Sequence, residues 1–285
     1  MKIEKLKITS KNYPEKLKAL HKKPSTISII GENIFEWPSV GIVGSRKVTS
    51  YGRGVTENFA TDLARNNICI VSGLALGVDS IAHMTALKSK GRTIAVLPSG
   101  IKSIYPASHR GLARKIITQG GALISEYEDD FRPRKESFIQ RNRIIAALSD
   151  VLLVTEAAEK SGSLHTANFA LEMGKTVLAV PGNITSATSA GTNNLLKMGA
   201  IMATSVQDIY DALGISPEEI QDKTEIYGDN EQESTILNLL GTGISSGEEL
   251  LAHSDLDIQL FQQTLTMLEM KGSISALGNN HWRLK

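Results

Sequence analysis

From Val40 onward the apolar positions fall into short β-branched runs separated by longer stretches with helical spacing, the pattern of βα units around a mostly parallel sheet. The runs lie at 41–43, 68–71, 93–97, 122–124, 151–154, 176–180 and 199–202, seven candidate strands and enough for one sheet. Between them, 56–66, 79–90, 138–148 and 163–174 carry helix-spaced apolar residues that can cover both faces. The period fades in an acidic stretch containing Ser216-Pro217 and Gly228-Asp229-Asn230. It returns as three helical segments at 233–240, 247–252 and 257–271, then two short runs around Ile274 and Trp282 joined by Gly278-Asn279-Asn280, a winged-helix order. The expected fold is therefore α/β: a Rossmann-like, mostly parallel sheet with helices on both faces, plus a small C-terminal winged-helix-like domain. The expected boundaries are a basic lead-in at 1–35, the Rossmann-like domain at 36–213, an acidic linker at 214–230 and the small domain at 231–285.

Composition narrows the function classes. At 285 residues, with 41% apolar and 21% charged residues, the chain is an ordinary globular protein of two unequal domains. No apolar run approaches the roughly 18 residues of a membrane span, and Met1-Lys2-Ile3-Glu4-Lys5 opens no signal-like core, so a cytoplasmic protein is expected. The one cysteine, Cys69, sits inside an apolar run and excludes an intrachain disulfide or a cysteine metal cage. The net charge of +1 conceals segregation: 27 Lys/Arg face 16 Asp/Glu through residue 204, whereas 205–260 holds 13 acids and only Lys223. A basic front suits a polyanion.

In an open parallel sheet, ligands bind beyond the carboxyl ends of the strands, where helix N-termini present unpaired N–H groups. Those positions hold Gly44-Ser45-Arg46-Lys47, Ser72-Gly73, Pro98-Ser99-Gly100, Glu156 with Ser161-Gly162-Ser163, and Pro181-Gly182-Asn183 followed by Gly191-Thr192-Asn193. Glycines admit an anion to the backbone, hydroxyls donate to its oxygens and Arg46 can grip it bidentately, so the loops predict an anion cleft. No Gly-x-Gly-x-x-Gly follows the first strand, and Gly174-Lys175-Thr176 precedes a strand instead of opening a helix, which removes dinucleotide and P-loop cofactors. Ser163 and His165 stand two apart on a helix and form no nucleophile–base pair, and the six histidines lack ligand spacing, so neither a catalytic residue nor a metal is expected. Glu156 fits either an acid–base role or loop orientation.

Arg132, Arg134, Lys135, Phe138, Arg141, Asn142 and Arg143 place cations and a ring beside the cleft, the logic of single-strand binding. Arg141 and Arg143 have an alternative, an internal pair with an acid such as Glu156.

These residues together resemble the DNA-processing protein A family. The matching stretches are Ile42–Lys47 with Tyr51-Gly52, 71–75 with Gly77-Val78-Asp79, Ile104-Tyr105-Pro106, Ser125-Glu126-Tyr127, 141–146, 156–163, 179–182 and Gly191-Thr192-Asn193, with Tyr13-Pro14 as lead-in. The resemblance spans about Tyr13 to Leu213 and does not extend to the helical N-terminal domain of longer members; the C-terminal module is similar to the family's winged helix. It implies a non-catalytic homodimer, without cofactor, that binds single-stranded DNA and loads RecA recombinase in natural transformation. The implied DNA-binding set is Gly44, Ser45, Arg46, Lys47, Ser72, Gly73, Lys135, Phe138, Arg141, Asn142, Ser161, Gly162, Ser163, Gly191 and Thr192. Departures occur at Leu76, where a basic residue is frequent, and at Ser137 and Ile139. The segment Met1 to Lys23 is read equally as extra DNA surface or a solvated arm. The candidate recognition helix, with one lysine and two acids, suggests a protein-contacting winged helix. The competing readings are a nucleotide phosphoribohydrolase similar to the LOG proteins, dependent on Glu156, and a protein-binding scaffold without a ligand.

Overall fold

The computed structural model describes residues 3–216 and 228–284. The chain divides into two compact units, Met1–Ile220 and Gln221–Lys285. All seven expected runs become strands: β3 (Ser39–Val43), β4 (Cys69–Ser72), β5 (Thr93–Val96), β6 (Ala122–Ser125), β7 (Val151–Val154), β8 (Thr176–Ala179) and β9 (Ile201–Met202). Two more precede them, β1 (Glu4–Lys7) and β2 (Thr26–Gly31), flanking α1 (Glu15–Lys18). The sheet order is β1-β2-β6-β5-β4-β3-β7-β8-β9. From β6 to β9 neighbours are parallel, while β2 is antiparallel to both β1 and β6.

The separate lead-in at 1–35 is corrected by this pairing: residues 4–31 extend the sheet itself. Leu17 is fully buried, the Tyr13 hydroxyl donates to the Pro24 carbonyl at 2.7 Å, and Lys16 pairs with Asp150 at 2.7 Å. The described part of this start is therefore not a solvated arm.

Alternation along each strand sends side chains to opposite faces. Val43, Cys69, Val71, Leu152 and Val154 join one core with helices α5 (Lys135–Leu148) and α6 (Ser163–Glu172). Val40, Ile42, Ile70, Val151 and Leu153 join the other with α2 (Ser50–Arg65), α3 (Val78–Lys88) and α8 (Gln207–Leu213). Helix α4 (Arg110–Thr118) packs beyond β5, and α7 (Ala190–Lys197) follows β8. Cys69 is fully buried and its thiol is pushed up to about 12 by burial, so it stays an inert apolar group.

The second unit has its own core, Ile236, Leu240, Leu250, Phe261, Leu265 and Leu268, built by α9 (Glu231–Gly241), α10 (Gly247–Ser254) and α11 (Ile258–Met270). A hairpin of β10 (Ile274–Gly278) and β11 (His281–Leu284) closes it, with positive φ at Gly278, Asn279 and Asn280 as a tight turn demands. Most of the acidic linker expected at 214–230 lies outside the described residues.

Candidate nucleic-acid interface

The chain steps from β3 to β4 on one side, and through α5 from β6 to β7 on the other, so the strand order reverses between β3 and β7. That reversal opens a crevice at the carboxyl ends, where ligands of open α/β sheets bind. An open cleft of about 840 Å³ lies there, walled by Gly44, Ser45, Arg46 and Lys47 after β3, by Lys135, Phe138 and Asn142 on α5, and by Lys160, Ser161, Gly162 and Ser163 at the start of α6.

Close packing shapes the first wall. The Ser45 N–H donates to the Glu156 carbonyl at 2.7 Å and the Val78 N–H to the Ser45 carbonyl at 3.1 Å, fastening the β3 loop between β7 and α3. A Cβ on Gly44 would stand 2.7 Å from the Val78 side chain, so no other residue fits that join unchanged. Arg46 then projects to solvent with its guanidinium 5.2 Å from the Phe138 ring centroid, and that ring meets Tyr105 edge-on at 5.4 Å. Among the described residues Arg46, Lys47, Lys135 and Lys160 form no salt bridge, although Arg46 lies near enough to buried Asp79 to favour its charged form, and all four cations line the cleft.

The phase of α5 sorts its residues. Lys135, Phe138 and Asn142 recur at helix spacing on the cleft wall, whereas Arg141, which also borders the cleft, is buried together with Ile144, Ile145 and Leu148. Asn142 donates to the Gly162 carbonyl at 3.2 Å and positions the loop whose Ser161 and Ser163 hydroxyls lie 2.7 Å apart. Ser137 accepts from the Arg134 N–H at 2.9 Å and pins the first turn, a structural use for a position that departs from the family pattern.

Five residues expected to contact DNA have structural occupations instead. Arg141 is 3% exposed and donates to the carbonyls of Gly73 and Val96, the latter at 2.7 Å. Burial lowers its pKa to about 10, still far above neutrality. A Cβ on Gly73 would strike that guanidinium, so the glycine makes room for Arg141. Ser72 is fully buried and donates to the Ile42 carbonyl. Gly191 donates to the Ala157 carbonyl, and Thr192, 1% exposed, donates to the Ser189 carbonyl. Among the other basic residues, Arg143 turns to Glu126 and the Lys22 carbonyl, not to Glu156.

Glu156 is 2% exposed and accepts from the Thr49 N–H at 3.2 Å and from the Thr49 hydroxyl. It secures the N-terminus of α2 and is therefore committed to orientation. Sequence reasoning missed Lys160 as a cleft cation; its position just before the Ser161-Gly162-Ser163 loop was the available signal. His165 stands exposed on the rim.

Behind the cleft a buried polar cluster fixes the loop from Gly73 to Gly77, in which Leu74 holds a φ of 58°. Asp79 accepts from Gly73 N–H at 3.1 Å, and His83 accepts from Leu74 N–H through Nε2 while Nδ1 faces the Thr93 hydroxyl at 2.7 Å. Since that hydroxyl donates to the Ile70 carbonyl, Nδ1 carries the proton and the imidazole is neutral. Burial lowers the His83 pKa to about 3 from 6.5. A basic group so depressed costs the fold nothing above 6.5, and as pH falls toward 3 the unfolded chain takes up a proton that the folded one refuses, so stability is lost across that range. Buried Asp79, raised by desolvation, acts in the opposite sense at acid pH. Denaturant titrations are therefore expected to show a steeper stability loss between these limits in the parent than in His83→Gln, and parallel curves would contradict the assignment.

Among the described residues no group of three or more His, Cys, Asp and Glu side chains is placed to hold a metal ion, and no helix is long and apolar enough to cross a membrane. Sheet order, glycine-shaped loops and exposed cations define a Rossmann-like α/β protein with a cation-lined crevice. The chain belongs to the DNA recombination-mediator protein A family, whose model matches residues 4–214, followed by the DprA winged helix domain over 221–280. The family comprises DNA-binding recombination mediators, not enzymes.

Protein Smf of Escherichia coli is 35% identical over 284 residues, covering 97% of this chain and 76% of the relative. DNA processing protein DprA of Bacillus subtilis is 38% identical over 213 residues, covering 74% and 71%. Among solved structures, that of DNA processing protein A from Streptococcus pneumoniae aligns with a TM-score of 0.69 at 36% identity over 74% of each chain. Its Helicobacter pylori counterpart, described for a single-stranded-DNA binding mode, aligns at 0.67 and 36% identity, over 74% of this chain and 95% of that one.

Proposed function

We propose that this chain binds single-stranded DNA in the β3/β7 crevice and delivers the coated strand to RecA recombinase during DNA uptake and recombination in the cytoplasm. The observation that carries the reading is the meeting of Arg46, Lys47, Lys135 and Lys160 with the Phe138 ring around one open cleft. Cations spaced along a groove track a backbone, and a ring receives an unstacked base, a face a duplex keeps paired and stacked. The Helicobacter pylori relative's binding of single-stranded DNA supports the same ligand here.

The implied homodimer finds support in β9, an open sheet edge whose Ile201 and Met202 are both exposed, with Met198 exposed beside them. The winged-helix unit suits a protein partner. Residues 228–284 hold eight acids against two basic residues, and Lys271 is already paired with Asp229 at 2.7 Å and Glu233 at 2.6 Å.

The test is retention of a labelled oligo-dT and of a blunt duplex by the full chain at about 50 mM salt, where phosphate contacts are strong. Preferential retention of the single strand, with faster RecA assembly on it, is expected. Equal retention of both, or of neither, overturns the reading.

A further inference from the structure

Beside the cleft lies a second hollow of about 430 Å³, lined by Thr49, Tyr51, Gly182, Asn183, Ser186 and Thr188. Thr188 lines both, so the two spaces adjoin. Their chemistry differs. The cleft is ringed by cations, whereas the hollow presents hydroxyls, an amide and one ring, and no ammonium, guanidinium or carboxylate. An uncharged lining of this kind does not recompense a phosphate for its lost water, but it matches the donors and acceptors on the edge of a base.

The loop that forms the hollow is built, although it buries almost no apolar surface. The Asn193 side chain clamps Gly182, accepting from its N–H and donating to its carbonyl, both at 3.1 Å. Asn183 Oδ1 accepts from the Thr185 N–H at 2.9 Å and its hydroxyl at 2.8 Å, and on this exposed residue the Nδ2 group is left as a donor. The Ser186 and Thr188 hydroxyls lie 2.8 Å apart. Tyr51 is 52% exposed, yet its hydroxyl donates to the Pro181 carbonyl at 2.8 Å, so the ring is held in place with a face to solvent. Next in the chain to Asn183, Ile184 is 92% exposed, an apolar side chain offered to an apolar surface.

We propose that this hollow is a nucleobase subsite: one base of the strand turns from the cleft at Thr188 and rests against Tyr51, with Ile184 covering its outer face. The proposal rests on the single-strand reading of the cleft. Stacking on one ring contributes several-fold to affinity with little dependence on sequence.

The test compares oligo-dT with an abasic oligomer of equal phosphate number, titrated against the full chain by fluorescence anisotropy. Parent, Tyr51→Ala, Tyr51→Phe and Ile184→Ser are compared, all at exposed positions. Tyr51→Ala and Ile184→Ser are expected to weaken oligo-dT binding by about fivefold or more and leave abasic binding unchanged. Tyr51→Phe, which keeps the ring, should retain most of the preference for bases. Unchanged oligo-dT affinity in both variants, or equal losses for the two oligomers, overturns the subsite. A parent chain that binds neither oligomer removes the single-strand reading itself, and the subsite with it.

Discussion

Removing the cations of Arg46 and Lys135 together is expected to weaken single-strand binding by about 15-fold near 0.15 M salt and by about 65-fold near 50 mM. The figures follow from counterion release, which links each neutralised phosphate to a slope of about 0.7 in log affinity against log salt. Both side chains line the cleft and neither forms a salt bridge among the described residues, so alanine at either position removes a positive charge from the cleft and breaks no salt bridge, Arg46→Ala also taking a distant charge from Asp79. Arg46→Ala also removes the guanidinium beside Phe138, and its single-variant loss is expected to exceed that of Lys135→Ala. Anisotropy titrations of the two single variants and the double variant measure this. A double variant that binds like the parent would place the strand elsewhere.

Arg141→Met is expected to act on the fold instead, destabilising the first unit by about 3–5 kcal/mol. The substitution leaves the Gly73 and Val96 carbonyls unpaired and removes the positive charge that opposes desolvation of buried Asp79. The loop from Gly73 to Gly77 then loses its anchor, and affinity falls through poorer organisation of the cleft. The guanidinium is buried and committed to backbone carbonyls, so the salt slope of the remaining binding is expected to match the parent's. Urea unfolding measures the first effect, and a change below about 1 kcal/mol would contradict a structural role.

These two variants separate arginines that sequence alone placed together. Within the α5 segment the charges are adjacent, and only the helix phase distinguishes them. The apolar residues Ile144, Ile145 and Leu148 carry that phase and assign Arg141 to their side; a reading weighted toward charge overlooks it. Glycine loops were legible as a cleft because they recur at strand ends, but their individual purposes were not. Gly73 and Gly191 admit a guanidinium and a carbonyl of the protein's own fold, as distant contacts decide.

The core strands were readable because burial on both faces gives them continuous β-branched runs. Strand β1 exposes three of its four residues, and α1 is a single turn, so neither carries a strong periodic signal. In β2 the signal was present, since Ile27 and Ile29 alternate with Thr26 and Ser28, but no parallel βα unit surrounds it. Edge pairing to β6, a strand almost a hundred residues later, created the element.

The central claim, that the β3/β7 crevice holds the phosphates of a single strand, is tested most directly by the salt slope of oligo-dT binding. Parent and Arg46→Ala/Lys135→Ala chains are titrated from about 50 to 500 mM salt, and a double variant shallower by about 1.4 is expected. Parallel lines for the two proteins would contradict the claim.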